Sequence, residues 1–259
     1  MKKIIKLVFV LLIQSQLLPA QSNWTHVGPK SDNQLGGNGF ETAQLDNITI
    51  DPANDLHLFA SSWFGGLWES SDRGANWVPV ETSVTGTNGV SAVAFINASE
   101  IMVGSMHVQN KIMHDYAAVH RNFTKGIWKY NFVTDTWTAM GSLPNPGLLP
   151  FSIRSLAVHP TNSSLLFACT GIGLFRSTDG GATWLNKDSD FVENMVFVPN
   201  TSGGYYSFIT GSNVTGNYNT PTGTVILKQS LNDGLTFSTL TAGITLPAPY
   251  TWRSHARIC

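Results

Sequence analysis

Three short stretches of this 259-residue chain set a hydroxyl, a carboxylate or amide, a glycine and an aromatic ring at fixed offsets. They are Ser70, Asp72, Gly74 and Trp77; Ser177, Asp179, Gly181 and Trp184; and Ser230, Asn232, Gly234 and Phe237. On paper the two aspartates look like catalytic carboxylates. The spacing supports a turn as well. A carboxylate can accept backbone amides across a bend, a glycine supplies a positive φ where a Cβ would clash, and the ring returns to pack beside the preceding strand.

Other residues are better placed to do chemistry. Most acids sit in turns, leaving Glu41, Asp46 and Asp115 as the candidate catalytic carboxylates. The stretch 106–124 carries His107, His114, Asp115 and His120, but the histidine spacing fits no compact metal motif and there is no HExxH, so no metal is expected. Trp63, Phe64 and Tyr116 could stack on sugar rings, with His107 and His114 nearby as polar contacts; packing between structural units is the competing role. No GxSxG elbow, phosphate-binding loop or dinucleotide fingerprint occurs, so no cofactor is expected. Cys169, in an apolar run, reads as a buried thiol, and two cysteines cannot build a disulfide framework. Asn-x-Ser/Thr sequons are frequent in a chain this rich in Asn, Ser and Thr.

The elements that position these groups follow from composition and repetition. The chain is 42% hydrophobic and 12% charged, with 24 Gly and 12 Pro, against roughly 25% charged in an average domain. Few charges and many turn-formers disfavour a helical bundle and favour an all-β domain. A net charge of −1 without a basic stripe makes nucleic acid an unexpected partner. Residues 1–20 have a basic start, an apolar run over 4–13 and a small residue at Ala20, the layout of a signal peptide cleaved near Ala20. That run is too short to span a membrane, which takes roughly 20 residues, so a secreted or cell-surface location is expected.

The repeats decide the architecture. Counting a degenerate copy over 126–137, the four copies begin at 66, 126, 173 and 226, a period suited to four-stranded blades. Apolar strands precede each copy, so each unit reads as strand A, turn, strand B, loop, strand C, hairpin, strand D. Blades are expected at about 43–81, 89–140, 152–187 and 192–240. The segment 250–257 matches 151–158 in register, through Arg154/Arg253, Ser155/Ser254 and Ala157/Ala256. The chain therefore reads as entering a fifth blade over 250–259 and as the first part of a larger propeller.

The pattern Ser-x-Asp-x-Gly-x-x-Trp resembles the Asp-box, or BNR repeat, of sialidases, sortilin-type propellers and xyloglucan-degrading hydrolases. The resemblance implies a β-propeller of antiparallel blades whose hairpins lie away from the active site, which gives Asp72, Asp179 and Asn232 structural roles. It places ligands on the opposite face, among the B-to-C loops at 61–65, 106–124 and 211–223. Two departures bear on activity. Where xyloglucanases carry Thr-Asp-Ile-Gly-Gly, this chain has Ser62-Trp63-Phe64-Gly65-Gly66, and the Phe/Tyr-Arg-Ile-Pro motif of sialidases is missing. The opening, Asn23-Trp24 through Gly28-Pro29 and then Gly36-Gly37, is similar to secreted sortilin-type propellers of Bacteroidetes-like bacteria. The leading expectation is a module that binds extracellular glycan or protein. The alternative is a glycoside hydrolase, sialidase-like or xyloglucanase-like, with part of its active site in further blades; a scaffold without ligand is a third reading.

Overall fold

The computed structural model describes residues 45, 47–62, 65–85, 89–108, 122–144, 153–200, 202, 204–215 and 222–240. The fold is all-β. Its strands are β1 (Asn47–Asp51), β2 (Asn54–Ser62), β3 (Gly66–Ser70) and β4 (Val78–Val80); β5 (Gly89–Asn97), β6 (Glu100–Val108), β7 (Asn122–Asn131) and β8 (Thr136–Ala139); β9 (Ile153–His159), β10 (Asn162–Thr170), β11 (Gly173–Ser177) and β12 (Leu185–Asp188); and β13 (Phe191–Pro199), β14 (Tyr205–Thr215), β15 (Thr222–Ser230) and β16 (Ser238–Thr239). A 3₁₀ turn at Ser83–Thr85 is the only helix among the described residues. Each group of four forms one antiparallel meander in chain order, and the four sheets are the blades of a propeller. The expected start of a fifth blade at 250–259 lies outside the described residues.

Burial explains the strand sequences. The second strand of a blade is covered on both faces, so Leu165 to Thr170 are all buried and the strand reads as one apolar run. The fourth strand is the outer edge, where Val78 and Leu185 are exposed and Pro79 removes an amide donor that could template aggregation.

Side chains alternate across each sheet, so every blade has one face toward the blade before and one toward the blade after. Between blades 1 and 2, Phe59 and Leu67 meet Val90, Val93, Ile101, Val103 and Tyr130. Between blades 2 and 3, Ala92, Met102 and Ile127 meet Ile153, Leu156, Leu166, Phe175 and Trp184. Between blades 3 and 4, Phe167, Cys169 and Leu174 meet Val192, Met195 and Ile209. Each side chain of this size stabilises by about 1.5–3 kcal/mol when fully buried. Cys169 is fully buried, and burial raises its thiol pKa above the ordinary value, so it does not act as a thiolate.

Two expected loops are shorter than the sequence suggests. The ladder continues through Met106↔Thr124, His107↔Phe123 and Val108↔Asn122, and through Ser212↔Val225 to Thr215↔Thr222. Stretches expected as loops over 106–124 and 211–223 are thus strand at both ends. Hairpin strands lengthen wherever paired backbones can satisfy one another.

Candidate functional site

The repeated hairpins are built alike. Ser177 Oγ donates to Asp179 Oδ1 at 2.7 Å and accepts the Gly181 amide at 2.8 Å and the Asp179 amide at 3.4 Å. Asp179 Oδ1 accepts the Thr183 amide at 2.9 Å, and Oδ2 accepts the Thr183 hydroxyl at 2.5 Å. Ser70 and Asp72 repeat this, with Gly74 N at 2.8 Å from Ser70 Oγ and the Asn76 amide at 2.8 Å from Asp72 Oδ1. In blade 4 an amide does the work: Asn232 Oδ1 accepts from Ser230 Oγ at 2.9 Å and from Thr236 N at 3.0 Å, while its Nδ2 donates to Thr236 Oγ1 at 2.8 Å.

The glycine is required at each hairpin. Gly74, Gly181 and Gly234 have φ of 83°, 89° and 71°. A Cβ at Gly181 would overlap Met140 of the preceding blade, and one at Gly234 would overlap the ring of Phe167. Trp77 Nε1 donates to Gly74 O at 2.9 Å. Trp184 is buried between blades, and Phe237 is half-buried against the junction of blades 3 and 4.

This geometry decides what the hairpin acids can do. The Asn76 amide and side chain, then the Ser70 hydroxyl, hold the Asp72 carboxyl below its ordinary value. The Thr183 hydroxyl and amide, then Ser177, hold Asp179 at about 2. A general acid for glycoside cleavage needs a raised pKa. These two carboxylates are lowered, with both oxygens engaged inside the turn.

The hairpins also fix which end of the propeller is which. Arg73 N donates to Leu56 O at 2.9 Å, and Gly180 N to Ser164 O at 3.0 Å, so the C-to-D hairpins and the A-to-B turns share one end. The B-to-C loops and the D-to-A connections lie at the other. Of the candidates for that end, Trp63, Phe64, His114, Asp115 and Tyr116 lie outside the described residues, as do Glu41 and Asp46. His107 lies on β6, paired with Phe123 in the backbone ladder.

At the loop end of blades 3 and 4 the structure assembles polar groups that sequence spacing does not connect. Lys228 Nζ donates to Asp188 Oδ2 at 2.5 Å and Asp190 Oδ2 at 2.7 Å across the blade junction. Burial works against the ammonium, but the two carboxylates outweigh it and raise its pKa. The Arg154 guanidinium lies 5.1 Å from the centre of the Phe191 ring, with Nε 3.9 Å from Glu193 Oε2. Ser155 Oγ donates to Asn194 Oδ1 at 3.0 Å. Arg154, Ser155, Glu193 and Asn194 come from the first residues of the inner strands β9 and β13, Asp188 and Asp190 from the end of β12 and the connection after it, and Lys228 reaches them from β15.

The hairpin end has its own buried groups. His57 Nε2 is 2.8 Å from Glu69 Oε1 and Nδ1 is 3.4 Å from Asp51 Oδ2, with Phe59, Phe95 and Phe132 around the ring. His159 Nδ1 faces the Thr161 amide at 3.3 Å, taking the part that Asp51 Oδ1 plays toward Ala53 N at 2.8 Å. Among the described residues no group of three or more His, Cys, Asp or Glu could hold a metal ion. No helix among them is long and apolar enough to cross a membrane.

Among the described residues, sixteen strands in four sequential meanders define a β-propeller, and comparison with known proteins agrees. No protein-family model matches the chain. A xyloglucanase of Hypocrea jecorina is 25% identical over 196 residues, covering 71% of this chain and 16% of that protein. An ancestral GH74 enzyme superposes with a TM-score of 0.56 at 14% identity, covering 78% of this chain and 26% of that one. The Niastella koreensis GH74 enzyme gives 0.53 at 15% identity, covering 75% and 30%. The GH74 xyloglucanase of Xanthomonas campestris gives 0.50 at 17% identity, covering 73% and 28%. The chain thus spans less than a third of each of these proteins. At such identities the structural likeness establishes the propeller fold.

Proposed function

We propose that the chain is part of a secreted Asp-box propeller that binds extracellular glycan or protein through its loop face. The observation that carries this reading is the use of the hairpin acids: both aspartates are consumed by the turn, and Asn232 replaces one without loss of the bonding pattern. That leaves recognition to the end where the B-to-C loops converge, the common place for function on a rigid scaffold. Trp63, Phe64 and Tyr116 supply flat apolar faces for sugar rings, with His107 and His114 as polar contacts. Arg154, Glu193 and Asp190 border the same end and supply charged groups for hydroxyls or carboxylates of a ligand.

The second reading is a glycoside hydrolase, favoured by the stretch of likeness to a xyloglucanase. Hydrolysis needs an acid and a base or nucleophile about 5–10 Å apart. Glu41, Asp46 and Asp115 remain its candidates, joined by acids in further blades. Trp63 at the expected acid position speaks for binding over turnover. The test uses xyloglucan oligosaccharides and a glycan array. Binding without release of reducing ends, weakened about tenfold or more by Trp63→Ala or Tyr116→Ala, supports the first reading. Release of reducing ends abolished by Asp115→Asn establishes the second, and binding indifferent to both aromatic substitutions removes the proposed surface.

A further inference from the structure

The junction of blades 3 and 4 departs from a pattern that the other two described junctions keep. Two residues before the hairpin serine, or before Tyr130 in blade 2, the third strands carry Trp68, Trp128, Phe175 and Lys228. Opposite the residue that precedes each of these, the fourth strands set Val80, Met140, Asp188 and Leu240. Met140 and Phe175 thus both pack in the apolar cluster between blades 2 and 3. At the same two places between blades 3 and 4 stand Asp188 and Lys228, and Asp190 is a second carboxylate on the same ammonium. An apolar pair of similar volume would serve stability there as well or better. A local rule broken without a gain in stability marks a place where function is to be sought.

The chemistry that fits this place is narrow. Lys228 and Asp188 are held inside, with side chains 15% and 8% exposed, while Asp190, Arg154 and Glu193 are half-buried and reach solvent. A cationic ligand finds its position taken by the Lys228 ammonium. An anionic one meets three carboxylates, Asp188, Asp190 and Glu193, against two cations, Lys228 and Arg154. An apolar one would strip water from charges and return no hydrogen bond. A neutral molecule with several hydroxyls fits, because each O–H can donate to a carboxylate oxygen and accept from a guanidinium. Arg154 is not saturated, since its Nε has no hydrogen-bond partner among the described residues. Phe191 follows Asp190 in the chain, and its ring, 5.1 Å from the Arg154 guanidinium, adds the apolar surface that a pyranose C–H face covers. We infer that Asp190 and Arg154, positioned by Lys228, Asp188 and Phe191, form a subsite for the vicinal hydroxyls of an uncharged sugar. The inference rests on the loop-face reading proposed above and narrows its ligand to a neutral glycan.

The test compares the wild-type chain with two variants on an array of neutral and acidic glycans, followed by calorimetric titration of the neutral oligosaccharide bound best. Asp188→Met with Lys228→Phe gives this junction the apolar pair of the junction before it. That variant is expected to keep or raise the thermal midpoint and to weaken binding about tenfold or more. Asp190→Asn keeps the shape of a half-buried side chain, so it reads the site even if the double variant does not fold. It is expected to leave the thermal midpoint nearly unchanged and to weaken the same binding several-fold. Wild-type preference for acidic over neutral glycans would overturn the inference. So would neutral-glycan binding that Trp63→Ala weakens and both junction variants retain, in which case the loop-face reading stands without this subsite. No glycan binding by the wild type would overturn the inference together with the glycan form of that reading.

Discussion

Blades 2 and 3 turn from their third strand to their fourth by different means. Blade 3 buries a serine hydroxyl that collects two amides and a carboxylate, then swings back through two glycines with positive φ. Blade 2 has Tyr130 where the serine would be. There Asn131 Oδ1 accepts the Val133 and Thr134 amides at 3.0 Å each, and the Tyr130 hydroxyl donates to Asp135 Oδ1 at 3.0 Å. Tyr130 stacks on Trp137 at 4.5 Å, with Asp135 itself at a φ of 52°. Both turns deliver an aromatic residue to the blade junction. What differs is where the polar work is done: in a buried hydroxyl in blade 3, and on the outside of the turn in blade 2. The comparison teaches that the hairpin acid is one of several ways to satisfy the same backbone amides.

The largest expected effect falls on the hairpin glycine that touches the preceding blade. Gly234→Ala combines a left-handed backbone with overlap on Phe167 and is expected to cost about 2–4 kcal/mol in denaturant unfolding. Gly180→Ala, with the same backbone handedness but open space around it, is expected to cost only about 1 kcal/mol. Equal costs would mean that contact with the preceding blade is unimportant.

Next comes the hydroxyl. Ser177→Ala leaves the Gly181 amide buried without an acceptor, an expected loss of about 1–3 kcal/mol. Tyr130→Phe removes one partly buried hydrogen bond to Asp135 and keeps the Trp137 stack, an expected loss of about 0.5–1.5 kcal/mol. A larger loss for Tyr130→Phe would reverse the comparison between the two blades.

Much of this contrast was legible in the sequence, because the hairpin is local. Ser, Asp, Gly and Trp act within eight residues, and the one-dimensional pattern reports their geometry. The inner strands were legible for the same reason, from the apolar runs that precede each copy of the repeat. The polar junctions were not legible. Lys228 meets Asp188 and Asp190 across some forty residues, and His159 faces a carboxylate, Asp233, of the next blade. Nothing in spacing alone connects such groups, since the packing of two sheets brings them together. The reach of β6 and β7 to His107 and Phe123 was also hidden, because the runs 106–108 and 122–124 are each too short for alternation to separate strand from loop.

The smallest effect is the most direct test of the central claim that the hairpin carboxylates are structural and their charge dispensable. Asp179→Asn turns the blade 3 hairpin into the blade 4 arrangement, in which Asn232 already bonds to Ser230 and Thr236. A carboxyl held at about 2 when folded, against an unfolded value of about 3.9, adds stability that is present above pH ~4 and fades as pH falls toward 2. The measurement is thermal unfolding of wild type and Asp179→Asn at pH 7 and at pH ~2.5. The account predicts nearly equal midpoints at pH 7 and a smaller acid-induced drop in the variant. A variant that unfolds at pH 7 as readily as Ser177→Ala, or that shows the full acid drop of the wild type, would contradict it.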